Sequence, residues 1–215
     1  MPFGRFLPAS AVAAALLVVS VFAGPPAAAL SSVSVSGFDD AAEAVSDFSD
    51  YTSFYVQSVT AEVEANESRQ FRPSEGFSTA ISQDEIEQQA DRLEAQLERW
   101  LSRRIEAADG PGEGVLVIDA VLTELIPTRP TLEGLSQEPT LSLSGSVGVG
   151  GAAVRIEISD GTSEEVIAQY SDTRTNGNLN DGLPRIGVWS DAERAYSSWA
   201  RSLARHISKT IGEAE

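Results

Sequence analysis

The chain has 215 residues, long enough for one domain with a sizeable core, and a formal charge of −17 with a single lysine, Lys209. So acidic a surface repels phosphate, which argues against nucleic-acid binding and against electrostatic docking on anionic lipid. No cysteine is present, which excludes disulfides, zinc–thiolate sites, a cysteine nucleophile and a lipid-bearing N-terminal cysteine.

Residues 1–29 have the layout of a secretory signal peptide. Arg5 supplies the positive end, Ala11 to Ala23 the apolar segment, and Ala27-Ala28-Ala29 a small-x-small cleavage site. The apolar run of about 13 residues falls short of the roughly 20 that a spanning helix needs. Cleavage is expected before Leu30, giving a periplasmic or secreted protein, with an uncleaved signal as the one route to a membrane. Residues 30–50 are rich in Ser, Ala and Asp. They are expected to form a flexible linker with Phe38 and Phe48 tucked onto the domain. Asp39, Asp40, Asp47 and Asp50 lack the spacing of a calcium loop.

The domain is placed at residues 51–211, with 212–215 as a tail. Tyr51 to Val63, rich in aromatic and β-branched residues, predicts a strand. The sequon Asn66-Glu67-Ser68 falls in a polar connection, 64–81, and is read as loop chemistry. Ser82 followed by Glu85 is a capping box, and Ile86, Ala90, Leu93, Leu97, Leu101 and Ile105 recur at helical spacing. A helix over 82–108 follows, stopped by Gly110-Pro111-Gly112. Val115 to Ile126 is apolar on both faces and predicts a central strand, parallel to the first if both share a sheet.

Pro127, Pro130 and Pro139 mark a loop. The glycines from Gly145 to Gly151 resemble a phosphate cradle only in composition, because a strand follows them rather than a helix start. They are expected to permit a bulge or close backbone packing. Ala152 to Ile158 and Val166 to Thr173 read as strands joined by an Asp160-Gly161 hairpin turn. The loop from Thr175 to Gly187, with Asn176, Asn178, Asn180 and Asp181, lacks the charge of a calcium site. Ser190 with Glu193 suggests a second capping box, opening a helix whose stripe includes Ala192, Ala195, Tyr196, Trp199, Leu203, Ile207 and Ile211. Trp199 is expected between this helix and the sheet. The order β-α-β-β-β-α predicts an α+β two-layer sandwich: a mixed four-stranded sheet with two helices on one face.

Five segments occur in succession: Tyr51-Thr-Ser-Phe-Tyr-Val-Gln, the helix from Ser82, Gly112-Glu-Gly-Val-Leu-Val-Ile, Gly150-Gly-Ala-Ala-Val-Arg-Ile-Glu and Trp189-Ser-Asp-Ala-Glu-Arg-Ala-Tyr-Ser-Ser-Trp-Ala. Over most of residues 45–210 this resembles the bacterial envelope family known as domain of unknown function 3313. The resemblance implies an exported protein of Gram-negative type. Its members are often lipoproteins, from which this cysteine-free chain departs. It implies no activity and carries over no catalytic residue.

Two residues are candidates for chemistry. Asp119 lies in the strand read as central, where an ionised carboxylate needs a partner. It is either a general acid or base, or it faces solvent or pairs with an arginine such as Arg155. His206, the single histidine, sits near a helix C-terminus, which favours a cation, and a surface or capping role is expected. No nucleophile elbow and no two-histidine helix motif accompanies it. No catalytic, cofactor-binding or metal residue is assigned, and no cofactor is expected. The reading is a non-enzymatic envelope domain that binds an unidentified protein or envelope component. The alternative is an envelope hydrolase or other enzyme working through carboxylates such as Asp119.

Overall fold

The computed structural model describes residues 29–45, 48–63, 81–128, 150–175 and 187–212. In chain order these form β1 (Ser31–Val33), β2 (Asp40–Glu43), β3 (Ser53–Ala61), α1 (Gln83–Leu101), β4 (Glu106–Ala107), β5 (Val115–Ile126), β6 (Gly151–Asp160), β7 (Val166–Thr175) and α2 (Ser190–Gly212). The sheet order is β1-β2-β7-β6-β5-β3-β4, with β3 parallel to β4 and to β5 and the other neighbours antiparallel.

The sheet therefore has seven strands, not four. Two of the additional strands, β1 and β2, come from the stretch expected as a linker, and β4 follows α1 directly. Three-, four- and two-residue strands are too short to show a period, so tertiary pairing makes them. Phe38 and Phe48 do pack on the domain: Phe48 is fully buried and the Phe38 ring lies 5.2 Å from that of Tyr170.

Ser82 and Glu85 form the expected capping box, with Glu85 N–H donating to Ser82 Oγ at 3.3 Å and Ser82 N–H to Glu85 Oε2 at 3.0 Å. The helix ends at Leu101, seven residues short of the expected 108, with Ser102 as its cap. Arg104 and Ile105 N–H both return to the Leu101 carbonyl, which tightens the chain into a turn. Ile105 keeps its place in the apolar stripe, buried, but from outside the helix. At the start of α2 the expected Ser190–Glu193 box is replaced. Thr128 Oγ accepts from Asp191 N–H at 3.3 Å, and Glu193 reaches across to pair with Arg92.

Both helices lie on one face of the sheet. The alternating residues Leu116, Ile118, Ala120 and Leu122 of β5 and Val154, Ile156 and Ile158 of β6 are buried against Leu93, Leu97, Trp199, Leu203 and Ile207 in one core. The helices run side by side in the same direction: Arg92 meets Glu193, Arg201 lies over the Trp100 ring, and Arg104 donates to Ser208. The other face of the sheet carries polar pairs, Arg155 with Glu62 at 3.0 Å and Gln169 donating to Glu157 at 3.1 Å, beside the apolar Val115, Val117 and Val121 of β5.

Glycines serve close packing. A Cβ on Gly151 would sit 2.2 Å from the Arg174 carbonyl oxygen, and one on Gly150 would meet Thr128 backbone at 2.9 Å. The β6–β7 turn departs from the Asp-Gly reading. Its left-handed residue is Glu164, with φ of 59°, and Asp160 N–H bonds the Glu165 carbonyl at 2.9 Å. Gly161 is needed instead because its Cβ would lie 2.6 Å from Gly112 O, where the Gly110-Pro111-Gly112 turn crosses the hairpin. We expect Gly161→Ala to cost roughly 1–3 kcal/mol through overpacking against rigid backbone, measured by urea unfolding. An unchanged midpoint would contradict that contact.

Candidate functional site

The two residues singled out for chemistry lie on opposite faces of the sheet. Asp119 faces the helix-free side, where Ser58 Oγ donates to its Oδ1 at 2.6 Å; a register shift between Val56 and Ser58 brings that hydroxyl into line. Arg155, the arginine considered as a partner should Asp119 not face solvent, pairs with Glu62 instead. A hollow of about 310 Å³ lies beside Asp119, lined also by Gln57, Pro111, Glu157 and Asp160. Among the described residues no three His, Cys, Asp or Glu side chains are placed to hold a metal ion.

His206 lies on the helix side and is neither a cap nor a free surface group. Its Nε2 is 2.6 Å from Glu43 Oε1, and Tyr170 Oη donates to the same oxygen at 2.7 Å. Phe48 and Tyr170 meet the imidazole edge-on at 6.3 and 6.1 Å. Burial pushes the Glu43 carboxyl up, but the His206 and Tyr170 hydrogen bonds and the His206 charge outweigh it and hold it below the usual range. Burial and the same carboxylate push the Tyr170 phenol up. The arrangement ties β2 to β7 and α2. Glu43 was missed because a carboxylate in a short polar strand reads as solvated, and its partner lies 163 residues away.

A second polar cluster fastens the chain start to α2. Asp172 Oδ2 accepts from Trp199 Nε1 at 2.5 Å and from Arg174 Nε at 2.6 Å. The Arg174 guanidinium also donates to the Gly37 carbonyl at 2.8 Å and to Ser198 Oγ. At the hairpin, Tyr51 Oη donates to Asp160 at 3.1 Å; burial first, then Asp160, raises its phenol to about 12. Each of these groups is engaged in holding elements together.

Of the further hollows on the described surface, one borders the outer edge of β3. β4 covers the outer edge of β3 only at Ser53 and Phe54, and Ala108 N–H closes on the Phe54 carbonyl at 2.8 Å. Beside Tyr55 and Val56 the edge borders a groove of about 520 Å³ under α1, lined by Phe54, Val56, Ala95, Arg99, Ala107 and Ala108 among others. Backbone edge, apolar wall and small side chains are what an extended polypeptide uses when it adds to a sheet. The sequence held no sign of this groove, because it depends on where β4 leaves the ladder.

The glycines 145–149, the loop 176–186 and Asn66 lie outside the described residues. No described helix is long and apolar enough to cross a membrane.

A family model described as protein of unknown function (DUF3313) matches residues 42–203. The chain belongs to the DUF3313 family. No curated protein matches it. Solved structures similar to this DUF3313 chain include PelC from Paraburkholderia phytofirmans, a dodecamer, at 12% identity and TM-score 0.41, covering 81% of this chain and 97% of that one. A leucine-to-methionine variant of that PelC, also a dodecamer, is similar at 14% identity and TM-score 0.39, covering 82% and 96%. A Xanthomonas campestris protein of family-model DUF330 is similar at 11% identity and TM-score 0.43, covering 79% and 92%.

Proposed function

We propose that this DUF3313 protein is an exported, non-catalytic envelope domain that binds a polypeptide partner along the β3 edge. The observation that carries the reading is the groove of about 520 Å³ between that edge and α1, where β4 already lies as a short parallel strand. The placement of Asp119 and His206 on opposite faces, each held by a structural hydrogen bond, supports binding over the enzyme alternative. A general acid and base must reach one substrate together.

Export rests on residues 1–29. The mature protein is expected to start at Leu30, one residue before β1, and mass spectrometry of exported protein checks it. An intact Met1 would overturn the cleavage. The binding reading is tested by placing a photo-crosslinking residue at Ala95, an exposed groove position, in periplasm-directed protein. A discrete crosslinked polypeptide, absent when the probe is on the helix-free sheet face at Glu157, is expected. No groove-specific adduct, together with turnover in a hydrolase substrate screen, would overturn the reading.

A further inference from the structure

We propose that the occupant of the β3 groove is a second copy of this chain, whose β1 adds in parallel beside β3. This rests on the partner-binding reading and names the partner. Three observations fit the two edges to one another.

The first is direction. Passing from β1 through β2, β7 and β6 to β5 crosses four antiparallel pairings, so β1 points the same way as β5, and hence as β3 and β4. A neighbour set beside β3 with its helices on the same side offers β1 as a strand parallel to β3, the orientation β4 already takes.

The second is length. β3 has nine residues and β4 pairs with two of them, while β1 has three. The stretch past Phe54 has room for β1 without displacing β4.

The third is chemistry. Val33 is the exposed large hydrophobic residue among the described ones, at 37% exposure. Its cross-strand row runs Val33, Ala41, Tyr170, Ile156, Ala120, Val59, and residues directly opposite share a face. Val33 therefore projects on the helix side at one end of the sheet. At the other end, also on the helix side, lies the apolar groove of Phe54, Val56 and Ala95 beneath α1. An apolar knob and an apolar slot stand on opposite edges of one molecule, with the knob's row meeting β3 at Val59, three residues past the slot's Val56. Joining them between copies covers both open edges, the standing hazard of an open sheet. It is a head-to-tail contact, which closes into a ring or continues as a filament.

The absence of native cysteine gives a clean test. Within one molecule Ser32 and Thr60 are separated by five strand spacings, about 24 Å, far beyond the roughly 7 Å between Cα atoms that a disulfide bridges. Any bridge must join two copies. Full-length mature protein carrying Ser32→Cys is mixed with protein carrying Gln57→Cys or Thr60→Cys under oxidising conditions, and the wild type is followed by sedimentation. We expect concentration-dependent oligomers, a mixed disulfide dimer in at least one mixture, and at least tenfold weaker association for Val33→Glu, whose exposed site leaves folding intact by circular dichroism. Wild type sedimenting as a monomer well above micromolar concentration would overturn the proposal, as would bridges that join two Thr60→Cys copies and none that join Ser32→Cys to β3. If the Ala95 crosslinker then captures a different polypeptide, the second-copy proposal falls while partner binding stands. If it captures this chain, both hold.

Discussion

Replacing Trp199 by alanine is expected to remove about 4 kcal/mol of stability, within the ~3–5 kcal/mol seen when a large buried aromatic is truncated. The indole is fully buried between α2 and the sheet, 6.0 Å from the Tyr196 ring. Its N–H also answers the buried Asp172 carboxylate, which would keep only Arg174. Against a typical domain stability of about 5–15 kcal/mol, that loss is about a quarter or more. Trp199→Phe separates the two contributions. It keeps most of the apolar contact and deletes the donor, and is expected to cost roughly 1.5–3 kcal/mol, the range for a hydrogen bond to a charged group. Urea unfolding with an unchanged slope measures both. A loss below about 1 kcal/mol for the alanine variant would place α2 off the core.

The second large effect belongs to Glu43. Glu43→Gln keeps the shape but removes the charge that His206 and Tyr170 bond, and should cost about 2 kcal/mol at pH 7. Its pH dependence follows from a folded carboxyl that titrates below its unfolded value of 4.5. The unfolded chain then takes up the proton first as pH falls. The stabilisation is therefore complete above the unfolded value and is lost as pH drops through the lower folded one. Wild-type stability should fall more steeply than that of Glu43→Gln between about pH 5 and the acid end of the window. Parallel curves for the two proteins would mean that the carboxylate is not the acid-sensitive tie.

Much of the frame was legible because long periodic segments report which face is buried. The Ile86 and Trp199 stripes, the doubly apolar Val115–Ile126 strand and the β6–β7 pair all appear where their patterns place them. What escaped has a common cause. β1, β2 and β4 have no more than four residues each, so their strandedness comes from neighbours far along the chain. β2 carries Asp40 and Glu43 around two alanines, which reads as solvated text, yet Ala41 and Glu43 point into the core. Ile105 kept its helical spacing while the backbone left the helix, so the periodicity was right and the boundary was not. Asp119 stood out for its place in an apolar strand. A bulge at Gln57, visible only in register, supplied its partner.

The shared direction of α1 and α2 has a consequence for charge. Peptide dipoles in two parallel helices add, and leave partial negative charge at their common C-terminal end. In a chain of net charge −17, no Asp or Glu occurs from Arg194 to Gly212, while Arg201, Arg205 and Lys209 do. Arg99, Arg103 and Arg104 close α1 at the same end, and the guanidiniums of Arg103 and Arg201 lie 4.4 and 4.7 Å from the Trp100 ring centre. Six of the protein's 15 Lys and Arg residues thus collect where the backbone of both helices is most electronegative, offsetting there the exposed carboxylates of Glu98 and Glu106.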